Sequence, residues 1–391
     1  MTTTAPSPRT ERGRQAGGPE LPPPRGELSE AVIDRLRGRA GALPGDRVAE
    51  AADPYGEDLQ LALHLGYELH YRGFAGVPDD AEWDLGLLGL RARLEARFEA
   101  ALRAACGRSP DPAEVFDSLL TEHDDGRGVS HYLVRHGTLE QLREHAVLRS
   151  VYQLREADPH LWVVPRLQGR AKAGMMTVQY DEYGCGRAER MHARLYAELL
   201  TDLGLDPAYG HYLPAVGAPA LATANLMSLF GLHRSRRGAL VGHFAVLEIT
   251  SSPAASRLVA ALRRAGAGEA AVRFYDEHVE ADAVHEQLVR HEVVTPLLAE
   301  EPDLAADLAF GADATVLLED WFADSVTRAW ESGATALRAR LDDVRPEAPP
   351  DEQPDVRPEA PPDVRPEPDV QPDVRPTGQR AGSPAAGRDR S

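Results

Sequence analysis

The 391-residue sequence predicts an all-α protein, a multi-helix bundle set between two disordered extensions. Three observations lead there. Apolar residues recur at helical spacing from Leu28 to Leu341, alternating strand-like runs are scarce in that stretch, and the composition turns proline-rich and polar on both sides of it. Residues 1–27 carry Pro22, Pro23 and Pro24 among Ser, Thr, Gly and Arg, which bury too little apolar surface to offset the entropy of ordering them. Residues 28–135 read as a helical accessory layer, with helices expected over Gly56–Arg72 and Leu85–Cys106. Residues 136–341 read as the functional core, with helices over Leu139–Ala157, Ala188–Leu203, Ala218–Leu232, Leu240–Thr250, Ser252–Ala265, Ala270–Leu298 and Leu304–Leu341. Pro253 is expected in the first turn of a new helix, capped by Ser251 or Ser252. Residues 342–391 repeat Asp-Val-Arg-Pro and related units, a density of proline that favours an extended, solvated spacer.

Composition excludes several classes of function. Asp and Glu outnumber Lys and Arg by 62 to 43, a net charge of -19 that repels phosphate backbones and anionic headgroups, so neither nucleic acid nor a membrane surface is an expected partner. Two cysteines, Cys106 and Cys185, are too few for a disulfide framework or a thiolate cage, which fits a cytoplasmic protein. There is no apolar run of about 18 residues and no signal-peptide pattern at the start. Lys172 is the single lysine, leaving at most one candidate for Schiff-base chemistry.

The stretch richest in chemistry runs from Phe274 to His285, free of proline and glycine. At 100° per residue, His278, Asp282 and His285 fall within about 60° of arc and about 11 Å of rise, so all three address one side of a helix. Two imidazoles and a carboxylate on one face suit a first-row metal with open positions. One helix cannot close such a site. Other donors stand on separate segments: Glu156 follows the apolar stripe Leu148, Val151, Tyr152 and Leu154, Glu182 lies in Gln-Tyr-Asp-Glu-Tyr-Gly, and His192 lies in Arg-Met-His. Carboxylates and histidines delivered from facing helices make dinuclear iron or manganese sites in bundle cores. Glu182 and His192 are ten residues apart, about 15 Å on a straight helix, so the helix must break between them, and Gly184 and Gly186 are placed to break it. Glu189, three residues before His192, is a rival donor for the same turn.

In these residues the chain resembles the haem-oxygenase-like diiron oxidases and oxygenases, the iron-containing redox enzymes, over most of Leu59 to Trp330. The likeness is carried by the Leu63–Phe74 segment, the Gln179–Gly184 run, the Met-His at His192 and the His-x-x-x-Asp-x-x-His at His278. The resemblance implies a haem-oxygenase-like bundle with one iron held by Glu156, His192 and His285 and a second by Glu182, His278 and Asp282. It implies two Fe(II) ions, with manganese as the alternative, and dioxygen as co-substrate. The implied activity is oxidation of a small organic molecule, an amino acid or amine derivative of secondary metabolism, by N-oxygenation, desaturation or C–C cleavage. Expected partners are that substrate and an external electron donor, with a second copy of the chain in a homodimer as a further one. A competing reading is a catalytically silent metal-binding bundle that acts as an interaction module through its Pro-rich tail. A haem-degrading oxygenase of the same shape is weaker, since it needs one proximal histidine and no carboxylate cluster.

Smaller expectations attach to other residues. Glu248, inside an apolar run, is a second-shell group or an alternative ligand, because a buried carboxylate is either paired or functional. Tyr180, Tyr183 and Tyr275 adjoin candidate ligands and can orient them. His64, Glu68 and His70 share a helix and can line an entrance, although packed, hydrogen-bonded residues are the commoner outcome. Met175 and Met176 read as core, and Glu280, Glu286 and Glu292 as a solvated face.

Overall fold

A computed structural model describes residues 18–107, 111–120, 126 and 128–341, and among the described residues the regular structure is helical throughout, with no strand. The first segment holds α1 (Glu27–Leu36), α2 (Asp46–Ala51), α3 (Glu57–Glu68), α4 (Leu85–Cys106), α5 (Pro112–Leu120) and α6 (Val129–His136). Asp84 starts α4 by accepting from the amides of Gly86 and Leu87. The rest comprises α7 (Leu139–Gln153), α8 (Asp158–Leu161), α9 (Gly169–Glu182), α10 (His192–Asp202), α11 (Ala218–Leu232), α12 (Arg237–Ala265), α13 (Glu269–Leu288), α14 (Thr295–Glu300) and α15 (Ala305–Glu331). Thr138 and Gln141 cap α7 reciprocally.

The sequence of α11 is apolar all round, and the helix is accordingly buried almost from end to end, with α3, α7, α12 and α15 packed about it. One apolar core runs through residues from both segments, from Leu59 and Phe98 to Phe230 and Phe322. Helix α12 packs against both α13 and α15. Its approach to α15 is at backbone contact: a Cβ on Gly242 would overlap the Leu308 carbonyl oxygen, and one on Gly311 the carbonyl of Ala239. None of the helices is long and apolar enough to cross a membrane among the described residues.

The structure departs from the expected elements in several places. The two helices foreseen around Pro253 are one, α12, which passes through the proline without a break. Packing of α12 on α13 and α15 along its length outweighs the roughly 3 kcal/mol that an interior proline costs. The helix foreseen over Ala270–Leu298 is α13 and α14 joined by a π turn, Val289–Val294. The last helix ends at Glu331, ten residues early, because Gly333 turns left-handed (φ 75°) and lets Ala334 close back onto the Ala329 carbonyl.

The N-terminal segment, expected to be disordered through residue 27, is docked from Gly18 onward. Ala75 donates to the Pro19 carbonyl at 2.9 Å, and Arg25 pairs with Glu57 at 2.8 Å and donates to the Leu213 carbonyl at 2.9 Å. These partners are distant in sequence, so composition alone could not reveal them. The remainder of that extension, residues 1–17, and the Pro-rich tail, 342–391, lie outside the described residues.

Candidate metal centre

The six donors singled out in the sequence come together. Glu156 follows α7, Glu182 ends α9, His192 opens α10, and His278, Asp282 and His285 project from α13; all six are buried. The break between Glu182 and His192 forms where expected: Gly184, Cys185 and Gly186 all adopt positive φ (66°, 54° and 78°), so the chain reverses before α10 begins. A Cβ on Gly184 would stand 2.6 Å from the Arg190 carbonyl carbon. Gly184→Ala is therefore expected to pry α10 from α9 and to lower metal content and stability together, by about 1–3 kcal/mol in the latter. Metal analysis and urea unfolding of that variant check this.

The ligand atoms converge in two groups, each with its members within 4.8 Å of one another: Glu156, His192 and His278 in one, and Glu182, Glu248 and His285 in the other. This partition differs from the one the resemblance implies, since His278 stands with Glu156 and His285 with Glu182. His278 Nε2 lies 3.6 Å from Glu156 Oε1, and the His192 and His278 rings are tilted against each other with centroids 4.4 Å apart. His285 Nδ1 faces Glu248 at 3.3 Å, Asp282 at 3.5 Å and Glu182 at 3.6 Å. His192 Nδ1, 2.8 Å from Glu182 Oε2, links the groups. Glu248 is thus beside His285 as a fourth carboxylate of the cluster.

The outer contacts orient these donors. His278 Nδ1 donates to the Phe274 carbonyl at 2.7 Å, so Nε2 is the nitrogen that faces Glu156 and that can take a metal once its proton is lost. His285 Nε2 lies 3.2 Å from Asp181, a carboxylate that sequence reasoning missed although it adjoins Glu182. Tyr183 donates to Asp158 at 2.6 Å, and Tyr275 is buried in the wall of the adjoining cavity. Several expectations fail here. Glu189 is exposed on the short turn Ala188–Arg190, because extended backbone at Met191 separates it from His192 and no shared helical turn forms. Tyr180 and Met176 are also exposed, on the outer side of α9. His64 and Glu68, by contrast, pack in the core and His70 pairs with Glu82 and Arg91, the commoner of the two outcomes expected for that set. Glu280 is exposed as foreseen, whereas Glu286 and Glu292 pair with Arg290 and Arg170.

Electrostatics follow from burial and proximity. Burial opposes the charged forms of His278 and His285, yet Glu156, Asp282, Glu248 and Glu182 outweigh it and hold the two imidazoles up at about 10 and about 11. Burial likewise opposes the Glu182 carboxylate, but His192, His278 and His285 pull it down to about 2. Glu248 is pushed up to about 8 by burial, with Asp282 and Glu182 adding to the effect. The cluster therefore carries protons where a cation would sit.

Those donors fit a metal. His192 Nδ1, His278 Nε2, His285 Nδ1 and Glu248 Oε2 are buried and form no well-aligned hydrogen bond, their close contacts being only with one another and with the other carboxylates of the two converging groups. A cavity of about 410 Å³ opens onto Glu156, Glu182, Glu248, His278 and Asp282 and is walled by Tyr152, Met227, Phe244 and Tyr275. The family model of the iron-containing redox enzymes matches residues 143–320, a span that holds every donor named. No curated protein matches the chain.

Proposed function

From the match of residues 143–320 to the iron-containing redox enzymes, which supports an iron-dependent redox function, we propose that this chain is an oxidase or oxygenase using two ferrous ions and dioxygen. Its substrate in this reading is a small organic molecule, an amino acid or amine derivative of secondary metabolism. The observation that carries the reading is the set of four buried ligand atoms, none in a well-aligned hydrogen bond, that converge in two adjoining groups beside a cavity. Glu156, His192 and His278 would hold one ion, and Glu182, Glu248 and His285 the other, with Asp282 adjoining. A ferrous pair supplies electrons for the reduction of dioxygen and Lewis acidity.

The chain's own residues do the rest. The Phe274 carbonyl and Asp181 fix the rings of His278 and His285 so that their other nitrogens, Nε2 and Nδ1, would be the ones to hold the ions. Tyr152, Phe244 and Tyr275 line the chamber with aromatic surface. Four carboxylates against three imidazoles leave the cluster short of positive charge once the imidazoles give up their protons, which suits it to cations.

Ferrous-dependent oxygen uptake by the iron-loaded chain, screened against amino acids and amines, tests the activity. Iron bound with no uptake under any substrate would overturn it in favour of a metal-binding module. The protonated state of the iron-free centre makes a second measurable claim. Because His278 and His285 are held above neutrality, metal must displace their protons, so loading at pH 7 is expected to release at least about two protons per chain. Uptake accordingly weakens as the pH falls. An indicator dye in weakly buffered solution reads the release, and loading without it would contradict the charge assignment.

A further inference from the structure

The same cavity reaches an imidazole that the metal groups do not use, with a further imidazole standing behind it. His160, on α8, lines the cavity, is 1% exposed, and has no hydrogen-bond partner on either ring nitrogen. Its ring is fixed against Phe244 at 4.9 Å and Tyr152 at 6.0 Å, and stands 5.4 Å from the ring of His243 on α12. The state of His243 can be read from its neighbours. Thr315 donates its hydroxyl proton to the Gly311 carbonyl at 2.7 Å, so at 2.8 Å His243 Nδ1 must be the donor to Thr315. That leaves His243 Nε2 as a buried lone pair with no partner.

His160 presents one acceptor and one donor to the cavity, both unmet, and the His243 Nε2 acceptor behind it is unmet as well. Burial keeps both imidazoles neutral: His160 is pushed down to about 4 and His243 well below its ordinary value. A carboxylate brings no donor for the acceptors, and an ammonium brings no acceptor for the remaining N–H. An uncharged group that donates and accepts at once satisfies the pair. We infer that His160, backed by His243, is the subsite that binds an uncharged donor–acceptor group of the substrate, such as a primary amide or a hydroxyl, beside the metal-ligating carboxylates. This rests on the cavity being the substrate chamber, as proposed above.

The test uses the full chain with its histidines labelled with nitrogen-15, metal-free and loaded with zinc as a diamagnetic stand-in, titrated with butyramide, butan-1-ol, butyrate and butylammonium. Butyramide and butan-1-ol are expected to shift the ring signals of His160 and His243 saturably, with the charged probes at least about tenfold weaker. His160→Phe should weaken butyramide by at least about tenfold while zinc content stays at the wild-type level, and His160→Gln should restore part of the loss. If His160→Phe does not fold, His243→Phe takes its place with a loss in the same direction. Charged probes binding as tightly as butyramide, or butyramide leaving the His160 signals unmoved, would overturn the subsite. A wild-type chain that takes up no zinc or iron would sink the metal reading alone, since the titration of the metal-free chain still decides the subsite.

Discussion

Replacing His278 and His285 together with alanine is expected to strip the chain of iron and abolish ferrous-dependent oxygen uptake. Each substitution removes the imidazole that faces the carboxylates of one donor group, leaving Glu156 with His192, and Glu182 with Glu248. Losing an outer-shell partner alone costs roughly 10–100-fold in metal affinity, so losing a donor from each group should cost more than about 100-fold. The same change leaves Glu182 without two of the cations that hold its carboxylate ionised, so the metal-free variant is expected to be less stable as well. Iron per folded chain, measured with a circular-dichroism check, separates the two effects. His291→Ala, on the exposed side of the π turn, serves as the control that keeps its iron. Full iron content in the double variant would refute the assignment of both groups.

The second large effect is one of stability. Arg155 and Glu68 form an ion pair at 2.9 Å with side chains 0% and 2% exposed, and Tyr209 donates to both Glu68 oxygens at 2.8 Å while Arg155 lies over the Tyr71 ring. Arg155→Met would leave the Glu68 carboxylate buried with Tyr209 as its main partner, at a cost of about 3–5 kcal/mol in unfolding free energy. The pH dependence has a definite sign. Burial already holds the Glu68 carboxyl above its ordinary range against the pull of Arg155, and loss of the guanidinium raises it further. A raised carboxyl favours the folded state below its unfolded pKa, and that advantage disappears as the pH climbs through the folded value. The deficit of the variant should thus be smaller near about pH 5 than at neutrality, and Glu68→Gln in the same chain should recover part of it. Urea unfolding at both values reads this, and equal deficits would show that the lost charge pairing is not the cause. Because Arg155 adjoins Glu156, reduced iron content is expected alongside.

What the sequence made legible was local. The spans of α4 and α11 follow directly from apolar spacing and flanking breakers, and glycine at positions 184 and 186 marked the break that brings Glu182 back to His192. The six buried donors were identifiable because metal-ligand residue types at helical spacing are unusual in an otherwise apolar setting. Their grouping was not, since which imidazole meets which carboxylate depends on the rotation of α13 against α9 and α12. Asp181 and His160 were missed for the same reason: an acidic residue beside Glu182 and a lone histidine after a proline have no distinctive spacing, and their roles arise from partners about 80 or more residues away. Pro253 misled because its local cost is visible in sequence and the packing that outweighs it is not.

The backbone contact at Gly242 and Gly311 has a bearing on how the chamber keeps its dimensions. Two helices separated by bulky side chains can slide past one another as rotamers change. Helices keyed carbonyl to glycine at two points cannot, because any axial step would drive one main chain into the other. His243 and Glu248 on one rail and Thr315 on the other are thereby indexed by the polypeptide itself, so variation among the wall residues can reshape the chamber without changing the spacing of its fixed groups.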